Sequence, residues 1–283
     1  MARPGRLTGA DLRAALAAPD PVDGFVSRRY RTGGLDWHVR ERPGRSPAYL
    51  LLHGLAVSHR YLMPTARRLA GRRVLVPDLP GFGLSSKPDR IYGVDEHRRA
   101  LAAWLDTLGE RDLCVIGNSF GCQVAVDLAV HRPDLVASLV LVGPTPDPAA
   151  PSMAGQALRW AYDLVFEDKR QAAILAADVR DAGLRRVGGT LRLSVRDPVA
   201  EKLSLLTVPT LVVRGARDRI VSARWVSAAA ARTPAVRTLT IPGAAHNAVT
   251  TAGAALARAI ADFAHASASE FQVMDGDDGR RDR

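Results

Sequence analysis

Short apolar runs alternate with amphipathic stretches along most of the chain. The runs are almost uninterrupted, as in strands that are covered on both faces, and they occupy residues 48–52, 74–76, 113–116 and 138–142. Between them lie stretches with apolar residues at helical spacing, clearest in residues 94–108, where Leu101 and Leu105 fall on one face. This alternation predicts an α/β fold with a mostly parallel central sheet and helices on both faces.

The N-terminal part follows a different pattern. Residues 10–18 predict a short helix, and the Pro- and Asp-rich residues 19–24 predict a linker. Two strands are predicted at residues 25–31 and 35–41. They are joined by Thr-Gly-Gly at residues 32–34, which is typical of a hairpin.

A proline cluster at residues 143–148 interrupts the alternation of strands and helices. The periodicity after it is helical up to about Leu206, which predicts a small helical cap inserted into the domain. The alternation then resumes with predicted strands at 209–213 and 236–241 and predicted helices at 223–232 and 253–264.

The last part of the chain is polar and rich in Gly and Asp, which predicts a disordered tail. The predicted division of the chain is an N-terminal helix and linker (1–24), an α/β core in two parts (25–143 and 207–265), the inserted cap (144–206) and the tail (266–283).

Composition narrows the class of partner. The 283 residues carry a formal net charge of +10, from 39 basic and 29 acidic residues. The arginines are scattered in pairs without interleaved aromatic residues, so we expect no nucleic-acid partner. No run approaches the roughly 20 apolar residues that cross a bilayer, and residues 1–21 lack the apolar core of a secretion signal. We therefore expect a cytoplasmic protein without a membrane partner, with Cys114 and Cys122 as core residues and no disulfide.

The candidate nucleophile is Ser119. It is the centre of Gly117-Asn118-Ser119-Phe120-Gly121, which fits G-x-S-x-G and lies between a strand-like run and a helix-like run. A strand that turns abruptly into a helix holds its apex residue in a strained backbone conformation and exposes that side chain. The motif alone is frequent by chance, so its context decides its meaning.

A serine hydroxyl becomes a good nucleophile when a base removes its proton and an acid orients that base. Downstream of Ser119, Asp218 and His246 directly follow the last two predicted strands. The carboxyl ends of parallel strands share one edge of a sheet, where open α/β sheets place their sites. Asp218 and His246 are therefore the candidate acid and base, and Asp147, after the preceding strand, is the alternative acid.

These patterns together resemble the α/β-hydrolase superfamily, from about Phe25 to about Ala264. The supporting motifs are a strand that ends in His53-Gly54, the turn D-x-x-G-x-G-x-S at residues 78–85, the elbow at 117–121, G-x-x-D at 215–218 and Ala245-His246. The order Ser, Asp, His along the chain is the order of this fold. The turn at residues 78–85 is expected to shape the pocket without doing chemistry.

The resemblance also implies an oxyanion hole made by two backbone N–H groups, those of Leu55 and Phe120. Ala56 is the alternative to Leu55 as a donor. His53 is expected to have a structural hydrogen-bonding role.

We expect a serine hydrolase that cleaves a carboxylic ester or thioester of small size through an acyl-enzyme, and no cofactor or metal is implied. The elbow also resembles that of hydrolases that cleave carbon–carbon bonds in ring-fission diketones, although their Gly-rich stretch after His-Gly is absent here. A lyase or a ligand-binding member of the fold is the other alternative. In the predicted cap, Trp160, Tyr162 and Phe166 have the spacing of a helix that packs its own core, with the pocket as the alternative. The oligomeric state and the acyl and alcohol parts of the substrate stay open.

Overall fold

An eight-stranded sheet lies at the centre of the part of the chain that the computed structural model describes, residues 8–16 and 23–275. Its order is β1-β2-β4-β3-β5-β6-β7-β8. The strands are β1 (Val26–Thr32), β2 (Leu35–Arg42), β3 (Arg45–Leu52), β4 (Arg72–Pro77), β5 (Leu113–Asn118), β6 (Val136–Val142), β7 (Thr210–Gly215) and β8 (Val236–Ile241). The apolar runs of the sequence fall within β3, β4, β5 and β6, as predicted.

Among the described strands, the first two run against the others. β1 and β2 form the predicted hairpin, with Thr32 opposite Leu35, and β2 is antiparallel to β4. From β4 to β8 neighbouring strands are parallel; Leu50 of β3, for example, pairs with Leu75 of β4 and Val115 of β5. The carboxyl ends of β3, β5, β6, β7 and β8 therefore meet at one edge of the sheet.

Helices surround this sheet. They are α1 (Gly9–Leu16), α2 (His59–Ala66), α3 (Val94–Leu108), α4 (Phe120–His131), α5 (Met153–Asp163), α6 (Ala172–Ala182), α7 (Leu184–Ser194), α8 (Val199–Lys202), α9 (Ala223–Ala230), α10 (Ala248–Thr251) and α11 (Gly253–Asp275). None of the helices in the described part of the chain is long and apolar enough to cross a membrane.

Both faces of the sheet are buried. Successive residues of a strand point to opposite faces, and in β3 Leu50 and Leu52 belong to one apolar cluster while Tyr49 and Leu51 belong to another. Helices α3, α4 and α9 complete the first cluster, and α2, α10 and α11 complete the second. This arrangement confirms the predicted α/β fold with helices on both faces.

The segment between β6 and β7 is helical and is hydrogen-bonded to the rest of the protein. Asp178 of α6 accepts from the backbone N–H of Ser58 at 2.9 Å and from its hydroxyl at 2.7 Å. Gln123 of α4 donates to the carbonyl of Ser194, the last residue of α7, at 2.9 Å. The helical character was expected from the sequence, and the division into core and cap at residues 144 and 206 stays a prediction.

The C-terminal helix is longer than expected. The pattern predicted an end at Ala264 and a disordered tail from residue 266, but α11 continues to Asp275. The predicted end of the helix was wrong, because Ala268, Phe271 and Met274 continue the helical spacing beyond Ala264, and Ala, Glu and Gln in this stretch favour a helix individually. Residues 17–22, with most of the predicted linker, and residues 276–283 lie outside the described residues.

Candidate active site

Ser119 occupies a strained turn between β5 and α4. Its backbone has φ 52° and ψ −117°, a region that residues other than glycine rarely adopt. The flanking glycines allow the turn to close. A Cβ atom on Gly117 would lie 2.6 Å from the carbonyl oxygen of Gly121, and one on Gly121 would lie 2.7 Å from the carbonyl oxygen of His53. The turn leaves Ser119 half-buried at the carboxyl edge of the sheet, while its neighbours Asn118 and Phe120 are buried.

Asp218 and His246 are hydrogen-bonded to each other. His246 donates from Nδ1 to Oδ2 of Asp218 at 2.9 Å. The other carboxylate oxygen, Oδ1, accepts from the backbone N–H groups of Ile220 and Val221, each at 2.8 Å, which fixes the carboxylate. Nε2 of His246 is buried and has no hydrogen-bond partner among the described residues. A neutral imidazole held in this way presents an unprotonated Nε2, as a general base requires.

The charges around His246 favour its protonated form. Burial lowers the pKa of His246. The carboxylate of Asp218 and the acidic groups of Asp163 and Glu167 raise it by more than burial lowers it, so that the pKa lies at about 9. The same negative charges stabilise the imidazolium that forms when His246 accepts a proton.

The backbone groups predicted to form an oxyanion hole border the same space as Ser119. Leu55, Ala56 and Phe120 all line the cavity that contains Ser119. Phe120 is the first residue of α4, where backbone N–H groups have no acceptor within the helix. A Cβ atom on Gly54 would lie 3.2 Å from the Cβ of Ser119, so the loop after β3 passes close to the candidate nucleophile. Leu55 and Ala56 both remain candidates for the second donor.

Ser119 and His246 line one cavity of about 270 Å³. The loops after β3, β5, β6, β7 and β8 form one side of it, and residues of α5, α6 and α7 form the other. Trp160 of α5 lines this cavity. Tyr162 and Phe166 pack against each other instead, with their ring centroids 5.2 Å apart.

Two acidic residues of the helical segment reach the loops after β7 and β8. Asp163, at the end of α5, accepts a hydrogen bond from the backbone N–H of Arg219 at 2.8 Å. Glu167 accepts one from the backbone N–H of Asn247 at 2.5 Å. These two N–H groups belong to the residues directly after the candidate acid and the candidate base, so the helical segment holds both loops.

Asp163 and Glu167 also form a buried pair of acidic groups that act on each other's pKa. Burial and the charge of Asp163 raise the pKa of Glu167 to about 8, and burial raises the pKa of Asp163. Gln171 donates to Glu167 at 3.1 Å and accepts from the amide of Asn247 at 2.8 Å, and Tyr61 donates to the other side of that amide at 2.5 Å. The sequence analysis did not predict this network, because its residues are far apart along the chain and belong to no motif.

Asp147, the alternative acid, has other partners. Its Oδ2 accepts from Arg159 at 2.8 Å and from the backbone N–H of Ser222 at 3.0 Å. The described hydrogen bonds of His246 lead to Asp218 and none leads to Asp147. The geometry therefore favours Asp218 as the acid.

His53 and the turn after β4 make structural contacts. His53 is fully buried, and its Nε2 accepts from the backbone N–H of Leu79 at 2.9 Å. Ser85 donates from its hydroxyl to the carbonyl of Asp78 at 2.7 Å. Both contacts fix the turn beside the cavity.

Among the described side chains, His38, His59 and Asp78 form the one group with the makeup of a metal site, with ligand atoms within 4.8 Å of one another. Nδ1 of each histidine lies 2.9 Å from an oxygen of Asp78, and the backbone N–H groups of His59 and Leu84 donate to the same carboxylate. Burial raises the pKa of Asp78, but the two histidines hold it well below its usual value. The group is a hydrogen-bonded network that ties the turn after β4 to β2 and α2.

The fold agrees with comparisons to known proteins. The chain matches the model of the alpha/beta hydrolase fold family over residues 47–204. It is 30% identical over 257 residues to 2-(acetamidomethylene)succinate hydrolase from Mesorhizobium japonicum, which covers 82% of this chain and 92% of that protein. It is also 30% identical over 174 residues to 2-hydroxymuconate semialdehyde hydrolase from Pseudomonas putida, over 53% of this chain and 62% of that one.

A solved structure of E-2-(acetamidomethylene)succinate hydrolase has the same fold, with a TM-score of 0.72 at 22% identity over 85% of this chain and 99% of that one. The protein belongs to the α/β-hydrolase fold family. It is an enzyme, a hydrolase of that fold.

Proposed function

We propose that the protein is a serine hydrolase that cleaves a carboxylic ester or thioester of a small molecule through an acyl-enzyme on Ser119. The observation that carries this proposal is the pairing of His246 with Asp218, which leaves Nε2 of His246 without a described partner in the cavity that Ser119 also lines. A nucleophile on a strained turn, an oriented base and a fixed acid are the parts that acyl transfer needs.

The mechanism follows from these positions. His246 takes the proton of Ser119 at Nε2 while the serine oxygen attacks the carbonyl carbon, and Asp218 stabilises the imidazolium. The N–H groups of Phe120 and Leu55 hold the oxyanion, and loss of one such donor costs about 100- to 1000-fold in rate. His246 then gives its proton to the leaving alcohol or thiol. Water, activated by His246, finally releases the acid from Ser119.

We also propose that residues 144–206 act as a cap over the nucleophile. The support is that α5, α6 and α7 supply much of the lining of the cavity that contains Ser119. Limited proteolysis of the native protein should cut first near residues 144–151 or in the C-terminal tail. Early cuts within residues 74–142 would contradict this division.

Two substitutions test the proposed chemistry. Ser119→Ala and His246→Ala should each lower hydrolysis of a short p-nitrophenyl ester at least about 1000-fold, with unchanged circular dichroism. Matched controls are Ser204→Ala and His131→Ala, at exposed positions outside the cavity, which should keep wild-type activity. A fluorophosphonate probe should label Ser119, as located by peptide mass spectrometry. Wild-type activity in either site variant, or labelling elsewhere, would refute the proposal.

Carbon–carbon bond hydrolysis is the second candidate. One support is the similarity to the relative that is named for 2-hydroxymuconate semialdehyde. The other is a hydrogen-bond acceptor beside Ser119 that is unpaired among the described residues, the side-chain oxygen of Asn118. Asn118 donates from its amide to the carbonyl of Val142 at 3.1 Å, while its Oδ1 is buried without a hydrogen-bond partner in the described chain. Turnover of that semialdehyde faster than of every ester and thioester tested would favour this candidate over the first.

A further inference from the structure

The cavity above Ser119 is lined mainly by apolar side chains. They come from both sides, with Val57 and Ile220 on loops at the sheet edge and Trp160, Val187 and Leu191 on helices of the segment between β6 and β7. Such a surface gains free energy by excluding water from an apolar group.

The described lining has no permanent cation, and the imidazolium that His246 forms on protonation is already paired with the carboxylate of Asp218. Within the part of the chain that the structure describes, no Lys or Arg lines the cavity. The charged groups nearest its candidate base are instead acidic, because Asp218, Asp163 and Glu167 all act on His246. A substrate carboxylate would therefore find no unpaired cation in this lining.

Three polar side chains of the lining, those of Gln156, Ser194 and Asn247, already donate hydrogen bonds within the protein. Gln156 donates to the carbonyl of Ala150 at 2.8 Å, and Ser194 donates to the side chain of Gln123 at 2.6 Å. The amide of Asn247 donates to Gln171 at 2.8 Å. Binding a carboxylate to these groups would break protein hydrogen bonds that are buried, which is costly.

We infer that the cavity accepts an uncharged, apolar acyl group and rejects one that carries a carboxylate. This inference rests on the proposed function and names the substrate class of the same site. It separates this chain from its relative named for a succinate, a dicarboxylate, since an ionised carboxylate loses its hydration in such a cavity and finds no Lys or Arg in the described lining to replace it.

The size of the cavity limits the acyl group. An engineered apolar cavity of about 150 Å³ holds benzene, so the cavity here, with about 270 Å³, accommodates on the order of ten non-hydrogen atoms. Acyl chains of roughly four to eight carbons fit that volume together with the reacting ester group.

Three p-nitrophenyl esters of equal acyl length test the inference. They are the hexanoate, the half-ester of adipate, which ends in a carboxylate, and the methyl ester of that half-ester, which is neutral. For the wild-type enzyme at pH 8 we expect kcat/KM for the half-adipate to be at least about 100-fold below that for the hexanoate. The methyl adipate should recover most of the difference, because only the charge has been removed.

A substitution in the lining gives a second measurement. Leu191→Lys places a cation in the cavity, and Leu191→Met is the matched neutral control. The ratio of half-adipate to hexanoate turnover should rise at least about tenfold in the Lys variant and stay unchanged in the Met variant. If the Lys variant does not fold, the three-ester series on the wild type still decides the matter.

The possible outcomes separate the two proposals. Half-adipate turnover equal to or above that of hexanoate, with Ser119 labelled by the fluorophosphonate probe, would overturn the acyl preference and leave the serine hydrolase in place. Absence of both ester turnover and Ser119 labelling would overturn the proposed function, and the acyl preference with it.

Discussion

Replacement of Asp218 by Asn tests the role of the acid with almost no change of shape. In the native protein Oδ1 accepts from two backbone N–H groups, those of Ile220 and Val221, and Oδ2 faces Nδ1 of His246. The new amide has one oxygen and one NH₂ group. Its oxygen must stay with the two N–H donors, because the opposite orientation would place three donors together and leave them without an acceptor.

This forced orientation turns the NH₂ group of the variant toward His246. Nδ1 of His246 then accepts a hydrogen bond instead of donating one, so the proton of the neutral ring moves to Nε2. Nε2 is the atom that must take the proton of Ser119, and in this tautomer it cannot. The same exchange in serine proteases lowers kcat about 10⁴-fold, which corresponds to about 5 kcal/mol of transition-state stabilisation.

The assay is kcat/KM for p-nitrophenyl hexanoate from pH 6 to pH 10. We expect Asp218→Asn to lose about 10³- to 10⁴-fold at pH 9 to 10, where the base is neutral in the wild type as well. In the variant the lost carboxylate also lowers the pKa of His246, so the loss shrinks toward pH 7. A purely electrostatic role for Asp218 would give little loss at pH 10, because only the change of tautomer impairs the base there. Asp147→Asn is the matched control, with an expected loss below about tenfold.

Less than a tenfold loss in Asp218→Asn across the whole pH range would refute the assignment of Asp218 as the acid. A large loss in Asp147→Asn together with a small one in Asp218→Asn would transfer that role to the residue after β6. Thermal unfolding of each variant separates loss of chemistry from loss of fold.

Other predictions concern protons and the acidic pair. Wild-type kcat/KM should rise about tenfold per pH unit toward pH 9, because His246 acts as a base only when deprotonated and its pKa is raised to about 9. The free energy of unfolding, measured with denaturant, should fall over the same pH range. A folded-state pKa above the unfolded value near 6.5 stabilises the protein below that value, so about 3 kcal/mol should be lost as the pH rises from 6.5 through 9. Glu167, with its pKa raised to about 8, adds to this decline, and a flat stability profile would contradict both assignments. Glu167→Ala should lower kcat by a larger factor than it changes KM. Glu167→Gln should retain much of the wild-type kcat, because Gln keeps an acceptor for the N–H of Asn247. An equal loss of kcat in both variants would show that this hydrogen bond does not support the rate.

Much of the fold and the spacing of the site could be predicted from local patterns. The buried strands β3, β5 and β6 are nearly continuous apolar runs, and such runs have few other interpretations between helical stretches. Ser119, Asp218 and His246 each follow a strand. Once the strands are parallel neighbours, their ends must share one edge, and the structure brings Asp218 and His246 to 2.9 Å from each other there.

What sequence patterns missed depends on contacts between distant positions. The end of α11 was misplaced because the apolar residues of its last part, Ala268, Phe271 and Met274, lie among polar residues next to the Gly- and Asp-rich C-terminus. In the helical segment between β6 and β7, the contacts with the core were missed. The periodicity of this segment predicts helices, but which of their side chains contact the loops of the core depends on how the helices pack. Trp160 faces the cavity and Tyr162 does not, although both lie in α5.

The acidic residues of the helical segment link the roof of the cavity to the base beneath it. Asp163 and Glu167 accept hydrogen bonds from the residues that follow Asp218 and His246, and α5, which ends at Asp163, also carries Trp160 in the cavity wall. A displacement of the end of α5 therefore breaks a buried hydrogen bond beside the acid and moves a wall of the cavity at the same time. Because unmet buried donors are costly, the segment that shapes the substrate space also favours the one arrangement of both loops in which Nδ1 of His246 faces Asp218.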